Sequence, residues 1–307
     1  MHTDIVSKYK GIYIAMYSAY DEAGNVDKER VKQLARYYTG KGVKGLYVGG
    51  SSGEGILQNE EERKQVLEAV MEEVRGELTI IVHVGANSTR ESVELAKHAE
   101  SHGADIISAV PSIYYRLPEA AVETHWQHMI DSTNLPFIIY NIPQTTGFTL
   151  STKLLAKLAA QDKVIGVKMS GESTFELQQY KETGGEEFLV FNGPDEQFLA
   201  GRIMGADGGI GGTYGVMPEL FVKLDYLFQE NKIEEARMLQ IKINGIIKKL
   251  LSYPSLYGAC KHILSLRGIE TGNPRLPMLP ASAEHHDSLA QLNREIEETV
   301  ALYTAKA

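Results

Sequence analysis

Eight times over, a short run rich in β-branched and apolar residues is followed by a stretch with helical patterning. This repetition constrains the fold more than any other feature of the chain. The strand-like runs are Ile12–Tyr17, Gly45–Val48, Thr79–Val84, Asp105–Val110, Phe137–Ile142, Val164–Ser170, Phe188–Asn192 and Gly208–Gly212. The helical patterns that follow them are Asp27–Tyr38, Asn59–Val74, Ser88–Ser101, Pro118–Ser132, Ser151–Ala160, Ser173–Thr183, Glu196–Met204 and Pro218–Gln229. In the second of these, Val66, Val70 and Val74 keep an i, i+4 apolar row among charges. The stretches Asn87-Ser88-Thr89-Arg90-Glu91 and Thr149-Leu150-Ser151-Thr152 supply N-caps. Strands alternating with helices predict a parallel sheet with helical crossovers. Eight such units fit an α/β fold of the closed (β/α)8 barrel type better than a doubly wound sheet. No Gly-x-Gly-x-x-Gly opens the first unit, which also disfavours a dinucleotide-binding sheet. After about residue 230 the strands stop, and Ile233–Leu251, Leu256–Leu266 and Ala283–Tyr303 read as helices. The expected organisation is a catalytic barrel over residues 1–230 and a C-terminal helical extension, residues 231–307, packed on it.

Composition narrows the partners. The net charge is −9 with no basic stripe, which argues against nucleic acid and anionic membrane. No apolar run approaches the ~20 residues of a membrane span. The first residues, Met1-His2-Thr3-Asp4-Ile5-Val6, carry no apolar leader pattern. With one cysteine, Cys260, there is no internal disulfide framework, and a reducing cytoplasm is the expected compartment. Cys260 lies in a helical pattern and is expected to be a small buried residue rather than a nucleophile. Metal is not expected. His125 and His128 are spaced i, i+3 on a helix whose polar face should be solvated, and His285-His286 opens the last helix. Neither pair has a ligand spacing that matches a known site.

Barrel enzymes work at the C-terminal ends of their strands. The sixth strand, Val164-Ile165-Gly166-Val167-Lys168-Met169-Ser170, places a lysine there. Alternation puts Ile165 and Val167 on one face and Gly166 and Lys168 on the other. A lysine at a buried strand end either snorkels to water or sits desolvated, and a desolvated amine is a nucleophile for carbonyls. Lys44 and Lys163 begin strands, so they belong to the opposite end. The fifth strand ends in Ile139-Tyr140-Asn141-Ile142-Pro143, with Tyr140 at the level of Lys168 on the neighbouring strand. That phenol is either a core residue with a satisfied hydroxyl or a proton carrier. Gly49-Gly50-Ser51-Ser52-Gly53-Glu54-Gly55 follows the second strand. It is a carboxylate or phosphate cradle, or else a flexible loop. Pro111-Ser112-Ile113-Tyr114-Tyr115 ends the fourth strand. Asn192-Gly193-Pro194-Asp195-Glu196 ends the seventh, its acids being ligand groups or helix N-terminal carboxylates. Gly208-Gly209-Ile210-Gly211-Gly212-Thr213 leaves space at the eighth. The Gly-x-Ser-x-Gly pattern of Gly49–Gly53 formally matches a nucleophile elbow. A helix must start at that serine, however, and here the next one begins near Asn59.

Taken together, Gly-Gly-Ser-Ser-Gly-Glu, Tyr-Asn-Ile-Pro, Gly-Val-Lys-Met-Ser and Asn-Gly-Pro-Asp-Glu resemble the class I pyruvate-dependent aldolase family, from Lys10 to about Met278. That family includes N-acetylneuraminate lyase and dihydrodipicolinate synthase. The resemblance implies a Schiff base between Lys168 and a pyruvate ketone carbon, with no cofactor beyond that covalent link. It implies Tyr140 as acid/base, Ser51 and Ser52 holding the pyruvate carboxylate, and Tyr114 reaching into a neighbouring subunit's site in a homotetramer. Dihydrodipicolinate synthases carry an arginine two residues after the proline of Tyr-Asn-x-Pro, where this chain has Thr145. Losing that bidentate fork argues against their activity. Gly193, Asp195 and Glu196 look like the lyase pattern, in which they face a sugar; Ser170 keeps a hydroxyl where lyases often have threonine, and Gly212 stands where lyases usually have a serine. The resemblance therefore implies reversible cleavage of N-acetylneuraminate to pyruvate and N-acetylmannosamine. The alternatives are another 2-keto-3-deoxy sugar-acid aldolase or dehydratase using the same lysine.

Overall fold

In the computed structural model, residues 7–304 are described. Strands β1 (Gly11–Ala15), β2 (Gly45–Val48), β3 (Thr79–His83), β4 (Ile106–Ala109), β5 (Phe137–Asn141), β6 (Val164–Met169), β7 (Leu189–Asn192) and β8 (Gly208–Gly211) close into a barrel in sequence order. The pairs from β2 and β3 round to β7 and β8 are parallel. The expected strands all form, most of them one or two residues shorter than their apolar runs. Tyr17, Val84, Val110, Ile142, Ser170 and Gly212 thus lie just past C-terminal strand ends, where barrel loops carry chemistry.

Helices α1 (Lys28–Tyr38), α2 (Glu60–Val74), α3 (Thr89–Ser101), α4 (Glu119–Ser132), α5 (Thr152–Ala159), α6 (Thr174–Gly184), α7 (Phe198–Ile203) and α8 (Pro218–Gln229) follow the strands in turn. α9 (Ile233–Leu251), α10 (Leu256–Leu266) and α11 (His286–Thr304) come after them. Their starts are written in the sequence. Asp27 accepts from the N–H groups of Glu29 and Arg30, and Asn59 and Glu62 form a reciprocal capping box. Ser88, Ser151 and Ser173 each accept from the N–H three residues on. Each such cap contributes about 1 kcal/mol.

Two departures have local causes. The expected helix Glu196–Met204 begins instead as a 3-10 turn, Asp195–Gln197, before α7. Tight turns of this kind are common where a helix starts. A one-turn helix, Pro143–Thr146, has no counterpart in the sequence patterning. Proline at its first position and Gly147 at φ 66° bound it on both sides.

By packing, the chain forms two compact units. The first takes the described residues of Met1–Tyr13, with Lys44–Val48 and Thr79–Ile210. It holds β2 to β7 whole, and Tyr13 meets Phe191 edge-on, the ring centroids 5.5 Å apart. At its N-terminal strand ends Asp207 pairs with Lys10 and Lys181 and accepts the Val190 N–H. The second takes Ile14–Val43, Gly49–Leu78 and the described residues of Gly211–Ala307. There α1 packs on α2, α8 on α9 and α11, and α10 on α11. Its core includes Leu34, Val70, Leu224, Leu239, Ile243, Leu289 and Ile296. Among the described residues no helix is long and apolar enough to cross a membrane.

Candidate active site

In the first unit, the register of β5 on β6 sets Tyr140 directly beside Lys168. Lys168 is 5% exposed and Tyr140 3%, so the strand-end lysine does not snorkel to water. The Lys168 Nζ lies 4.1 Å from the centre of the Tyr140 ring and 4.6 Å from that of Tyr47 on β2. Tyr47 meets Tyr140 nearly edge-on at 5.8 Å, and its hydroxyl donates to Ser108 Oγ of β4 at 3.0 Å. His83, the last residue of β3, faces both rings, with centroids 6.2 Å from Tyr47 and 6.0 Å from Tyr140. The Val110 N–H donates to His83 Nε2 at 3.2 Å, so that nitrogen carries no proton.

The flanks of this amine are held from outside. Asn141, next to Tyr140, donates to the Tyr180 hydroxyl at 3.2 Å, which in turn donates to the Leu150 carbonyl at 2.7 Å. Burial raises the Tyr180 phenol far above its ordinary range, so it stays a donor. Ser170 takes its position from a 2.8 Å bond between its N–H and the Asn141 carbonyl. Gly193 crosses so close that a Cβ there would meet Ser170 Oγ at 2.0 Å and the Met169 carbonyl at 2.7 Å. Only glycine lets β7 hand its chain past β6 at this point. Asp195 is buried and Glu196 exposed in the turn that follows.

The second unit carries the loop that continues from β2. Ser51 is exposed, Ser52 buried, and Ser52 Oγ lies 3.4 Å from the Tyr257 hydroxyl of α10. Gly212 is in the same cluster. Its carbonyl accepts from the Tyr17 hydroxyl at 2.6 Å, and a Cβ added to it would meet Ser52 Oγ at 2.7 Å. Burial pushes the Tyr17 phenol well above its ordinary value, with Cys260 beside it adding to the shift. The loop is anchored by Glu54, wholly buried at φ 57°, which pairs with Lys261 at 2.6 Å and accepts the Arg275 N–H at 2.6 Å. No α-helix starts at Ser51; a 3-10 turn, Gly55–Leu57, intervenes before α2, which disposes of the nucleophile elbow.

Tyr114 is 89% exposed, at φ 82°, with Tyr115 edge-on to it at 5.2 Å. Cys260 is fully buried, as its helical setting predicts. His125 departs from expectation. It is buried rather than solvated, with Nδ1 2.8 Å from Thr89 Oγ1, because its position on α4 shares the inward face with Val122 and Trp126. His128 faces out, so the two imidazoles do not converge. Tyr47, His83, Ser108 and Tyr257 are not picked out by the sequence reading. For Tyr47 and His83 the signal was available, since both lie in the last two positions of a barrel strand.

A family model described as the dihydrodipicolinate synthetase family matches residues 8–296. The chain belongs to that family. Within the dihydrodipicolinate synthetase family it is 47% identical over 279 residues to an N-acetylneuraminate lyase of Mediterraneibacter gnavus, covering 90% of this chain and 88% of that one. It is 38% identical over 271 residues to an N-acetylneuraminate lyase of Rhizobium meliloti, covering 88% and 89%. In three dimensions it matches a catalytic-lysine mutant of a Ruminococcus gnavus sialic acid aldolase with a TM-score of 0.95 and 43% identity, over 97% of this chain and 98% of that one.

Proposed function

We propose that this chain is a class I aldolase that reversibly cleaves N-acetylneuraminate to pyruvate and N-acetylmannosamine. The observation that carries the reading is the buried Lys168 amine, set between two phenol rings with Tyr140 at its own level. The names of the relatives support the substrate, and the catalytic lysine of the gnavus aldolase supports a catalytic lysine here.

Lys168 adds to the C2 ketone of the open-chain sugar acid, and loss of water gives an iminium. Tyr140 takes the proton of the C4 hydroxyl as the C3–C4 bond breaks. The bonding pair flows into the iminium to give an enamine, and N-acetylmannosamine leaves as the aldehyde. Protonation at C3 and addition of water return pyruvate and the free amine. Ser51 and Ser52 hold the carboxylate. Tyr114, exposed on its own chain, joins Tyr140 and Ser52 from a neighbouring copy in a homotetramer. Ser170, Gly193, Asp195, Glu196 and Gly212 face the sugar. No cofactor takes part beyond the covalent link to Lys168. We also propose a cytoplasmic setting, and the division into a barrel at residues 1–230 and a helical extension at residues 231–307. Gly212, where lyases of the resembling family usually have serine, favours as a second reading another 2-keto-3-deoxy sugar acid handled by the same lysine.

Borohydride reduction in the presence of pyruvate tests the core. Mass spectrometry should find the reduced adduct on Lys168, and Lys168→Ala should give neither adduct nor turnover. Turnover without any adduct on Lys168 would overturn the Schiff-base assignment. A panel of sugar acids scored by pyruvate release decides between the two substrate readings.

A further inference from the structure

We infer that Tyr47 is a positioning residue for the Lys168 amine, presenting its ring face to the cationic nitrogen while its hydroxyl is anchored away on Ser108. The inference rests on Lys168 being the imine-forming lysine. Four observations carry it. Tyr47 and Ser108 are both fully buried, on β2 and β4. The Lys168 Nζ lies 4.6 Å from the Tyr47 ring centre, within the range of a cation–π contact. The 3.0 Å bond from the Tyr47 hydroxyl to Ser108 Oγ fixes the plane of the ring. Among the described residues Lys168 forms no ion pair, so ring faces stand where a buried ammonium would ordinarily have a carboxylate.

The two tyrosines therefore divide the work. Tyr140 is proposed to move a proton, and its hydroxyl must reach the substrate. Tyr47 contributes its ring face, while its hydroxyl donates to Ser108. The nitrogen carries positive charge in the cycle as the iminium. A carboxylate at this distance would stabilise it so strongly that hydrolysis would not proceed readily. A ring quadrupole is a weaker and fixed partner that holds the nitrogen in place. The other groups facing this spot keep the balance. His83 behind the two rings has an unprotonated Nε2, and the register partner of Lys168 on β7 is the uncharged Phe191.

The test compares Tyr47→Phe, which keeps the ring, with Tyr47→Leu, which removes it. Two rates are read on the purified full-length protein: borohydride trapping of the pyruvate adduct on Lys168, and carbamylation of Lys168 by cyanate as a function of pH. Cyanate reacts with neutral amines, so its profile reports the titration of Lys168 without any need for catalysis. Removing the ring face disfavours the ammonium. In Tyr47→Leu the rise in carbamylation should move to lower pH, and adduct trapping should slow by about tenfold. In Tyr47→Phe both should stay within about threefold of the parent. A purely structural role would lower the rates without moving the pH profile. If Tyr47→Leu does not fold, Tyr47→Met fills similar space without a ring and carries the same expectation. An unshifted carbamylation profile in the ringless variant overturns the role of Tyr47 even where adduct trapping proves Lys168 catalytic. Absence of adduct in the parent, by contrast, overturns the aldolase reading and this inference with it.

Discussion

Lys261→Met should be among the most damaging substitutions outside the strand ends, and its size can be worked from the structure. Lys261 is 2% exposed on α10, and Glu54 is wholly buried on the loop after β2, with 2.6 Å between their charged atoms. The Glu54 second oxygen accepts the Arg275 N–H, while Lys261 also donates to the Asn273 carbonyl and lies 4.5 Å from the Tyr20 ring centre. Burial lowers the Lys261 pKa and Glu54 opposes the shift. Methionine matches the stem but strands Glu54 as a buried charge without its counter-ion. Breaking one side of such a pair costs about 3–5 kcal/mol. With an unfolding entropy of about 2.1 cal/mol/K per residue, a chain of 307 residues should lose roughly 5–8 °C in Tm. Differential scanning calorimetry measures this directly. The double variant Glu54→Gln/Lys261→Met should recover much of the loss, because no uncompensated charge remains. KM for pyruvate should rise in the single variant, since Glu54 holds the loop of Ser51 and Ser52. A Tm within about 1 °C of the parent would refute the reasoning. A double variant as unstable as the single one would assign the loss to packing instead of charge.

Two further outcomes are expected. Gly212→Ser requires Ser52 to rotate, because the new Cβ would lie 2.7 Å from Ser52 Oγ. A hydroxyl placed there is worth about 1 kcal/mol, so relative kcat/KM between sugar acids should shift about fivefold, over and above any slowing of pyruvate adduct formation common to all of them as Ser52 moves; unchanged relative sugar preference would remove Gly212 from the specificity argument. Burial, with His128 adding, lowers the His125 imidazole to about 4. Because the unfolded chain binds this proton near 6.5 and the folded chain only near 4, stability is fully present above 6.5. It falls as pH drops toward 4, by up to about 3 kcal/mol. Urea titrations at pH 7 and pH 4.5 should show that loss, and His125→Leu should shrink it.

Strand count, strand order and the level of Lys168 against Tyr140 were legible in the sequence because alternation and register have fixed periods. A residue on a β-strand needs only its position to be placed, and β5 and β6 place their two residues side by side as the patterning requires. What lay beyond reach depends on contacts between segments far apart in sequence. The hydrogen-bond partner of the buried His125 imidazole is Thr89, 36 residues away. The anchoring of Glu54 follows from Lys261 and Arg275, more than 200 residues on. No local period carries such pairings. The one-turn helix Pro143–Thr146 was missed for the opposite reason, being too short to show any period.

The same distinction explains why one half of the proposed chemistry is better determined than the other. The groups around the amine stand on strands: Lys168 on β6, Tyr140 on β5, Tyr47 on β2, His83 on β3 and Ser108 on β4. Each is held by backbone ladders on both sides, which is the rigidity that a nucleophile and a proton carrier need. The residues proposed to face the sugar stand on connections. Ser170, Gly193, Asp195, Glu196 and Gly212 lie just past strand ends, where a single exchange such as serine for glycine changes a hydrogen bond without disturbing the barrel. A fold arranged this way can change the sugar it accepts while keeping its carbonyl chemistry. Substitutions at Gly212 should therefore act on substrate choice, and those at Tyr47 on the imine itself.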